Sequence, residues 1–267
     1  MTAQSVALEP TLAGGGRARP FLGFGTVLRK ELTEWFRGPK ALIVAGISIV
    51  GAVFMTLIPF IARATDEAEQ AGLLTMDPTA NVLLGWTGQT VALITVVATM
   101  ALLSTERDRG TLAWTMTNPV SPTSIIAAKF VSAFAVLTLT AIVLPLLVSI
   151  GLATAVYGAV PDLRVVGTFA ILFLSLPAFY IALTVGFGTA IKSTAGVAGA
   201  AFAVMFVPQV VAGLVPIVNE LSPTSIGSWA MAVAKGEPTS ALTPVGWLVS
   251  MFVLVVGAKL IFDRQEL

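Results

Sequence analysis

The chain of 267 residues is 56% hydrophobic and only 11% charged, whereas about a quarter of the residues in an ordinary soluble domain are charged. This composition excludes a soluble globular protein and predicts an integral membrane protein. The chain has no cysteine and no histidine, so disulfides, thiolate or imidazole metal ligands and histidine-based acid–base catalysis are excluded.

The first 23 residues combine three consecutive glycines with isolated arginines and contain no continuous apolar stretch. This pattern predicts a flexible cytoplasmic tail, and it argues against a cleavable signal peptide, which needs an apolar core. We expect the first membrane-spanning segment to serve as an uncleaved anchor.

Residues 24–38 predict an amphipathic helix. Its apolar side chains, Trp35 among them, fall on one side at helical spacing, and its basic side chains fall on the other. The helix should therefore lie in the cytoplasmic headgroup region with its basic face toward anionic lipid. Glu31 lies near the apolar stripe, where a charge is costly. It either snorkels or pairs with Lys30 or Arg37, or it meets a basic group of a partner or of the loop after the second span.

Six apolar segments are long enough to cross the roughly 30 Å hydrocarbon core, which takes about twenty residues. They make residues 39–267 a transmembrane domain, so the predicted fold class is all-α, a polytopic membrane protein with six transmembrane helices. The predicted spans are Ala41–Ala62, Val82–Leu103, Ile126–Val156, Val165–Ile191, Ala195–Val218 and Trp247–Phe262, with a start a few residues earlier as the alternative for the last. Pro145 lies inside the third span, where it predicts a kink, and Pro177 lies inside the fourth.

The basic residues lie almost entirely on one side of this topology. With the N-terminus inside, 12 of the 15 lysines and arginines fall in cytoplasmic segments and 3 fall outside, while the outer loops are acidic. Cytoplasmic segments of membrane proteins carry an excess of lysine and arginine. The pattern therefore predicts that both termini are cytoplasmic.

No predicted span carries a charged residue at its centre. Proteins retain such charges for proton relays, ion coupling and substrate counter-charges, so their absence weighs against an ion-coupled carrier or pump. Most polar residues in the spans are threonine or serine, which we interpret as contacts between helices. Gln89 and Gln209 are the stronger ligand candidates, because a buried amide needs partners for both its donor and its acceptor.

Motifs for soluble-type catalysis are also absent from the sequence. A P-loop requires a Gly-Lys pair, and no lysine in the chain follows a glycine. The zinc-protease motif HExxH and the hydrolase motif G-x-S-x-G do not occur. We therefore predict no catalytic residue and no metal site, and we expect another polypeptide to supply the energy for any transport.

Residues 104–125 form a charged island between the second and third spans, which we call the central loop. A charged run is followed there by a glycine and several apolar side chains, which would suit a pocket in a soluble partner, while the charges would fix its register. The candidate contact residues are Glu106, Arg107, Asp108, Arg109, Gly110, Thr111, Leu112, Trp114 and Met116. The alternative is that the charged run is an ordinary solvated cap on the second span.

Over nearly the whole chain this arrangement resembles the permease subunit of ABC-2-type (type V) ABC transporters. The resemblance rests on the order of features: the amphipathic helix with Arg29-Lys30-Glu31-Leu32, six spans with both ends inside, Glu106-Arg107-x-x-Gly110-Thr111-Leu112, and then Asn118-Pro119-Val120-Ser121 and Lys129. In that family the central loop carries a cytoplasmic coupling helix that seats in a groove of the nucleotide-binding subunit. The segment Ala113–Met116 departs from the family, in which a Glu and a leucine pair are common.

The resemblance implies the permease of an ABC exporter, in the plasma membrane of a prokaryote. The chain would form its pathway with a second copy of itself or a paralogous permease, and two ABC ATP-binding subunits would bind ATP and Mg²⁺. The chain itself would hold no cofactor. The pathway would be lined by the second and fifth spans, with Gln89, Phe206 and Gln209 as candidate residues, and would carry a hydrophobic or amphipathic substrate. Membrane lipid is an expected partner, and nucleic acid is not.

Residues 219–244 are too apolar for a free outer loop and too short to span twice. In the family this region re-enters the outer leaflet as short helices that close the pathway. The alternative is a helix lying flat on the outer surface, anchored by Trp229. For the whole chain, two other function classes remain open: an ATP-independent carrier or channel, and a non-transporting membrane scaffold or immunity-type protein.

Overall fold

The computed structural model describes residues 21–62, 77–84, 86, 88–108 and 120–263, and within those ranges it contains no strand. The α-helices are α1 (Phe24–Arg37), α2 (Lys40–Ala62), α3 (Pro78–Leu84), α4 (Gly88–Thr99), α5 (Ser104–Asp108), α6 (Pro122–Leu137), α7 (Leu144–Tyr157), α8 (Leu163–Phe173), α9 (Ser175–Ala190), α10 (Thr194–Ala212), α11 (Pro216–Leu221), α12 (Ile226–Lys235) and α13 (Leu242–Asp263). A π-helix, Thr138–Val143, joins α6 to α7, and a 3₁₀ turn, Pro223–Ser225, precedes α12. The predicted all-α class is confirmed.

In the described part of the chain, six helical segments are long and apolar enough to cross a membrane, which confirms the predicted number and order of spans. They are Lys40–Ile58, Pro78–Glu106, Thr123–Tyr157, Leu163–Ala190, Thr194–Ala212 and Leu242–Ile261. The predicted end of the fifth span is corrected. This span ends at Ala212 instead of Val218, because the chain turns there and Pro216, which has no amide N–H, begins the separate helix α11. The sixth begins at Leu242, a few residues before Trp247, which agrees with the earlier start that the sequence left open.

Prolines divide the third and fourth spans into two helical halves each. Pro145 has no amide N–H, and its ring crowds the carbonyl of Ala141. The chain accommodates this with the wider π-helix that immediately precedes α7. Pro177 has the same effect on the carbonyl of Phe173, and the fourth span is interrupted at Leu174, between α8 and α9. The irregularity predicted at Pro145 is therefore present, and the break before Pro177 is an additional one.

The fourth span is the central helix of the bundle. Its second half, α9, is buried along most of its length and packs against α4, α6, α10 and α13. Hydroxyl groups join neighbouring spans: Thr99 and Thr184 share a 2.8 Å hydrogen bond, and Thr56 donates to Ser149 Oγ at 3.2 Å. More than half of the fourth span is buried, but less than a fifth of the fifth and sixth spans. These two spans therefore leave broad apolar faces uncovered.

The bundle has two ends, because consecutive spans alternate in direction. One end, which we call the basic end, carries α1, α5 and the start of α6, and a 3.0 Å hydrogen bond between Ser104 and Thr194 joins the second and fifth spans there. The opposite end carries α3, α11 and α12. There the backbone N–H of Asp162 donates to Thr79 Oγ1 at 2.9 Å.

Candidate functional site

At the basic end, α1 lies against the first half of the third span. Val27, Glu31 and Trp35 follow one another at four-residue spacing, and all three are buried. Trp35 belongs to an apolar cluster with residues of α2 and α6, whereas Phe36 is 59% exposed. The buried face of α1 therefore contains Glu31 and leaves Phe36 exposed, whereas Glu31 lay only at the edge of the predicted apolar face. A carboxylate in such a position needs a partner inside the protein.

Lys129, which lies inside α6, is the partner of Glu31. The Lys129 ammonium is 2.9 Å from Glu31 Oε1, and these two side chains are 2% and 3% exposed. The same ammonium is 3.1 Å from Glu106 Oε1. Lys30 lies at the edge of the group, 3.2 Å from Glu106, 3.4 Å from Glu34 and 3.7 Å from Glu31. These five residues, which we call the ion cluster, join α1, α5 and α6.

The ion cluster controls the protonation of Lys30. Partial burial disfavours the charged form of this lysine, but the carboxylates of Glu106, Glu31 and Glu34 outweigh that effect and raise the pKa of Lys30 above its ordinary value. Lys30 therefore stays charged throughout the neutral pH range, and its contribution to the cluster is lost only in strongly alkaline solution.

A second contact ties the end of the central loop to the start of α1. The backbone N–H of Ser121 donates to the carbonyl of Leu22 at 3.1 Å, and the Ser124 hydroxyl donates to the same carbonyl at 2.9 Å. Gly23 has a φ of 79°, and a Cβ there would lie 2.8 Å from Val120 Cγ2. Only glycine fits this close approach and this backbone conformation without strain. The start of the central loop is thus held by α1, and its end is held by Leu22 and Gly23, which directly precede α1.

The predicted contact residues for a soluble partner lie only partly in the described residues. Glu106 belongs to the ion cluster and is 20% exposed, so it is not simply a solvated cap residue. The backbone of Arg107 and Asp108 belongs to α5. The remaining candidates lie outside the described residues, and their role stays a prediction: Arg109, Gly110, Thr111, Leu112, Trp114 and Met116.

The sequence singled out Glu31 and offered Lys30 or Arg37 as its partner, and the structure contains the pair with Lys30 at 3.7 Å. The closer pair with Lys129 was not predicted, because Lys129 counts in the sequence as one more basic residue on the cytoplasmic side. Lys129 could have been recognised by its position: it lies seven residues after Pro122, far enough into α6 that its side chain is buried among neighbouring helices. A buried charge inside a helix requires a counter-charge, and this requirement could have pointed to Glu31.

A second candidate site is a cavity of about 350 Å³ where the second, fourth and fifth spans meet the segment before α12. We call it the polar cavity. Gln89 of α4 and Gln209 of α10 line it together with Tyr180 of α9 and Asn219 of α11. The described residues that line it include no charged side chain. The structure therefore brings two of the three predicted pathway residues to one cavity.

The third predicted pathway residue, Phe206, does not line the polar cavity and is 44% exposed on the same helix as Gln209. Tyr180 and Asn219 carry no signal in the sequence, because nothing local indicates that the fourth span and α11 meet the second and fifth spans. Their proximity is a result of the tertiary fold alone.

Helix α12 packs against the first half of the fourth span. Gly227 is buried at its N-terminus, and a Cβ there would lie 3.2 Å from Phe173 Cε2 and 3.5 Å from the Cα of Gly88. Phe173 is the last residue of the 11-residue helix α8, in a span of 28 residues. The N-terminus of α12 therefore lies well inside the bundle, away from the tips of the spans.

Comparison with known protein families adds an independent result. A family model described as "ABC-2 family transporter protein" matches residues 26–267, so the match includes the central loop, all six spans and nearly all of α1. A search of curated proteins gives no match to the chain.

Proposed function

The chain belongs to the ABC-2 family of transporter proteins, and we propose that it is the pathway-forming subunit of an ATP-driven exporter. Family membership and the six apolar helices make it a multi-pass membrane permease of an ABC-type system. The membrane component of such a system is not itself catalytic and works with an ATP-binding subunit. In our proposal two permease chains, identical or paralogous, act with two ATPase subunits that bind ATP and Mg²⁺.

The ion cluster is the observation that carries this proposal. Glu106, at the start of the central loop, is bonded to Lys30 on α1 and to Lys129 in the third span. The end of the loop is bonded to Leu22. A force applied to the loop would therefore move α1 and the third span together. This is the arrangement that a coupling element needs if a soluble ATPase is to drive a membrane bundle.

The polar cavity supports a pathway along the second and fifth spans. Gln89 and Gln209 are exposed on the single chain, and unsatisfied amides are unfavourable against lipid. A second permease chain facing the fifth span would enclose them in a shared, hydrated passage. Rocking of the two bundles, driven by closure of the ATPases, would then open the passage outward.

We further propose that the basic end faces the cytoplasm of a prokaryotic cell and that both termini lie there. The excess of basic residues supports this orientation. In this orientation α12 enters the outer half of the membrane, since its N-terminus reaches Phe173. A helix at that depth can close the outer end of the pathway, which favours the re-entrant alternative over a helix on the surface.

The coupling role is tested with the complex of the chain and its co-expressed ATPase subunit in nanodiscs. The chain has no native cysteine, so a single cysteine at Gln89 reports on the polar cavity through its rate of maleimide labelling. ATP and Mg²⁺ should change this rate several-fold in the otherwise native complex. Gly110→Pro and Leu112→Asp should abolish the change while membrane insertion and ATP hydrolysis persist, and Leu163→Asp at the opposite end is the matched control.

An unchanged ATP response in both loop variants would remove the case for coupling through the central loop. Transport of a solute by the purified chain in liposomes without ATP would instead identify an ATP-independent carrier or channel. Labelling of the 106–116 segment from outside intact cells would contradict the proposed orientation.

A further inference from the structure

The chemistry of the polar cavity bears on what passes through it. Gln209 Nε2 donates to the Met205 carbonyl at 2.9 Å, and the Ser225 hydroxyl donates to Asn219 Oδ1 at 2.8 Å. These bonds leave the Gln209 oxygen and the Asn219 amide N–H groups without a described partner. The cavity therefore offers both donors and acceptors to a ligand.

Two further lining groups are free within the described residues. Gln89 has no side-chain hydrogen bond there, and neither does the hydroxyl of Tyr180. Tyr180 as a whole is 1% exposed, and it lines the polar cavity. A hydroxyl in the wall of a cavity can exchange hydrogen bonds with a molecule that enters the cavity and displaces water.

The lining also restricts the charge of that molecule. A charged group that exchanges part of its hydration for contacts with the lining would meet no counter-charge among the described lining residues, which is unfavourable. A purely apolar group would leave the side-chain amide of Gln89 and the side-chain oxygen of Gln209 unpaired. An uncharged group with hydroxyl or amide functions avoids both penalties.

Apolar surface adjoins the polar cavity on the fifth span. Phe206 and Val210 flank Gln209 and are 44% and 71% exposed, and Leu214, in the turn that follows the fifth span, is 82% exposed. A volume of about 350 Å³ lies at the lower end of the range for small-molecule sites, about 300–1,000 Å³. It suits a head group better than a whole lipid-sized molecule.

We propose that the polar cavity binds the uncharged, hydrogen-bonding head group of an amphipathic substrate, with hydroxyl or amide functions that contact Gln89, Tyr180, Gln209 and Asn219. This inference rests on the proposed transport function and specifies its substrate class. The substrate's apolar tail lies against the exposed residues of the fifth span.

The test is equilibrium binding of tritium-labelled probes to the purified chain in nanodiscs. The probes share an eight-carbon tail and differ in head group: octyl glucoside presents hydroxyls, octanamide presents an amide, and octyl sulfate and octyltrimethylammonium carry opposite charges. We expect saturable binding of at least one uncharged probe, about tenfold or more tighter than either charged probe. The two uncharged probes distinguish a hydroxyl-rich from an amide-type head group.

Matched variants locate the binding. Tyr180→Phe and Gln209→Leu should each weaken the uncharged probe about three- to tenfold, the effect of losing one hydrogen bond. Tyr157→Phe is the control, because the only other tyrosine of the chain donates to the Thr56 carbonyl, outside the polar cavity. Thermal unfolding of each variant verifies that it is folded.

Three results would overturn the inference: no saturable binding of either uncharged probe, binding of a charged probe that is as tight, or equal losses in Tyr157→Phe and Tyr180→Phe. The assay contains no ATPase. The proposed substrate class can therefore be disproved while ATP-dependent coupling is still observed, and the proposed coupling can be disproved while head-group binding is still observed.

Discussion

Lys129 holds the basic end together through charge. Its ammonium contacts two carboxylates on different elements, and its side chain is almost completely buried. Removing one member of a buried ion pair leaves an uncompensated charge and destabilises a protein by about 3–5 kcal/mol, whereas removing both members is often nearly neutral. The cluster should therefore show strong coupling between its members.

We expect Lys129→Met to lower the free energy of unfolding by about 3–5 kcal/mol. The double variant Glu31→Gln/Lys129→Met should lose clearly less, because fewer carboxylates remain without a counter-charge. Lys192→Met is the matched control, since Lys192 is exposed between the fourth and fifth spans, and it should have little effect. Unfolding in mixed micelles, followed by circular dichroism, measures all three; additive losses in the double variant would contradict a coupled pair.

For Glu31, the sequence predicted only part of the ion cluster. A carboxylate beside an apolar stripe needs a partner, and the neighbouring Lys30, which was one of the residues offered, lies 3.7 Å away. The closer partner, Lys129, is 98 positions away in the chain, and no local periodicity connects two residues so far apart. Gln89 and Gln209 were predictable from residue chemistry, whereas the contribution of Tyr180 to the same cavity depends on how four elements pack.

Among the elements, α12 depends on close helix contact at a glycine. Gly227 lies opposite Gly88, so α12 approaches the second span without an intervening side chain, and it packs against the Phe173 side chain of the fourth span. Small residues permit such approaches between membrane helices. The position of α12 inside the bundle should therefore be sensitive to any side chain added there.

We expect Gly227→Val to displace α12, because its side chain would overlap Phe173 and the backbone of Gly88. Gly167→Val in α8 is the control, since a Cβ at Gly167 meets no atom within 4 Å. A single cysteine at Ala230, a fully buried residue of α12, and a membrane-impermeant maleimide give the measurement in intact cells. Labelling should be slow in the otherwise native chain and in the control, and severalfold faster in Gly227→Val. Fast labelling in all three would mean that α12 lies on the surface.

The elements themselves were largely predictable, because apolar runs of about twenty residues and prolines act locally. Pro145 predicted an irregular helix, and the structure has a π-helix before it; a break that was not predicted precedes Pro177. The fifth span was predicted too long, since the apolar run continues through Pro216 while the helix does not. Hydrophobicity marks what can lie in lipid, but the end of a helix is set by its backbone hydrogen bonds.

At the scale of the whole molecule, the bundle is unevenly covered. The fourth span is enclosed by its neighbours, whereas the fifth is mostly exposed and presents both apolar residues and Gln209. Lipid can cover the apolar residues but offers few hydrogen-bond partners to an amide. This combination favours a second protein chain over lipid as the neighbour of the fifth span.

We therefore expect the fifth spans of two permease chains to face each other. Val207 and Val253 are 56% and 62% exposed, on the fifth and sixth spans, and each can be replaced by cysteine in a chain that has none of its own. In native membranes a short bismaleimide should cross-link Val207→Cys into dimers, because the two copies meet there, and should leave Val253→Cys mainly monomeric. Dimers from Val253→Cys alone would place the interface on the sixth span. In that case the polar cavity would face lipid and could not be the shared passage.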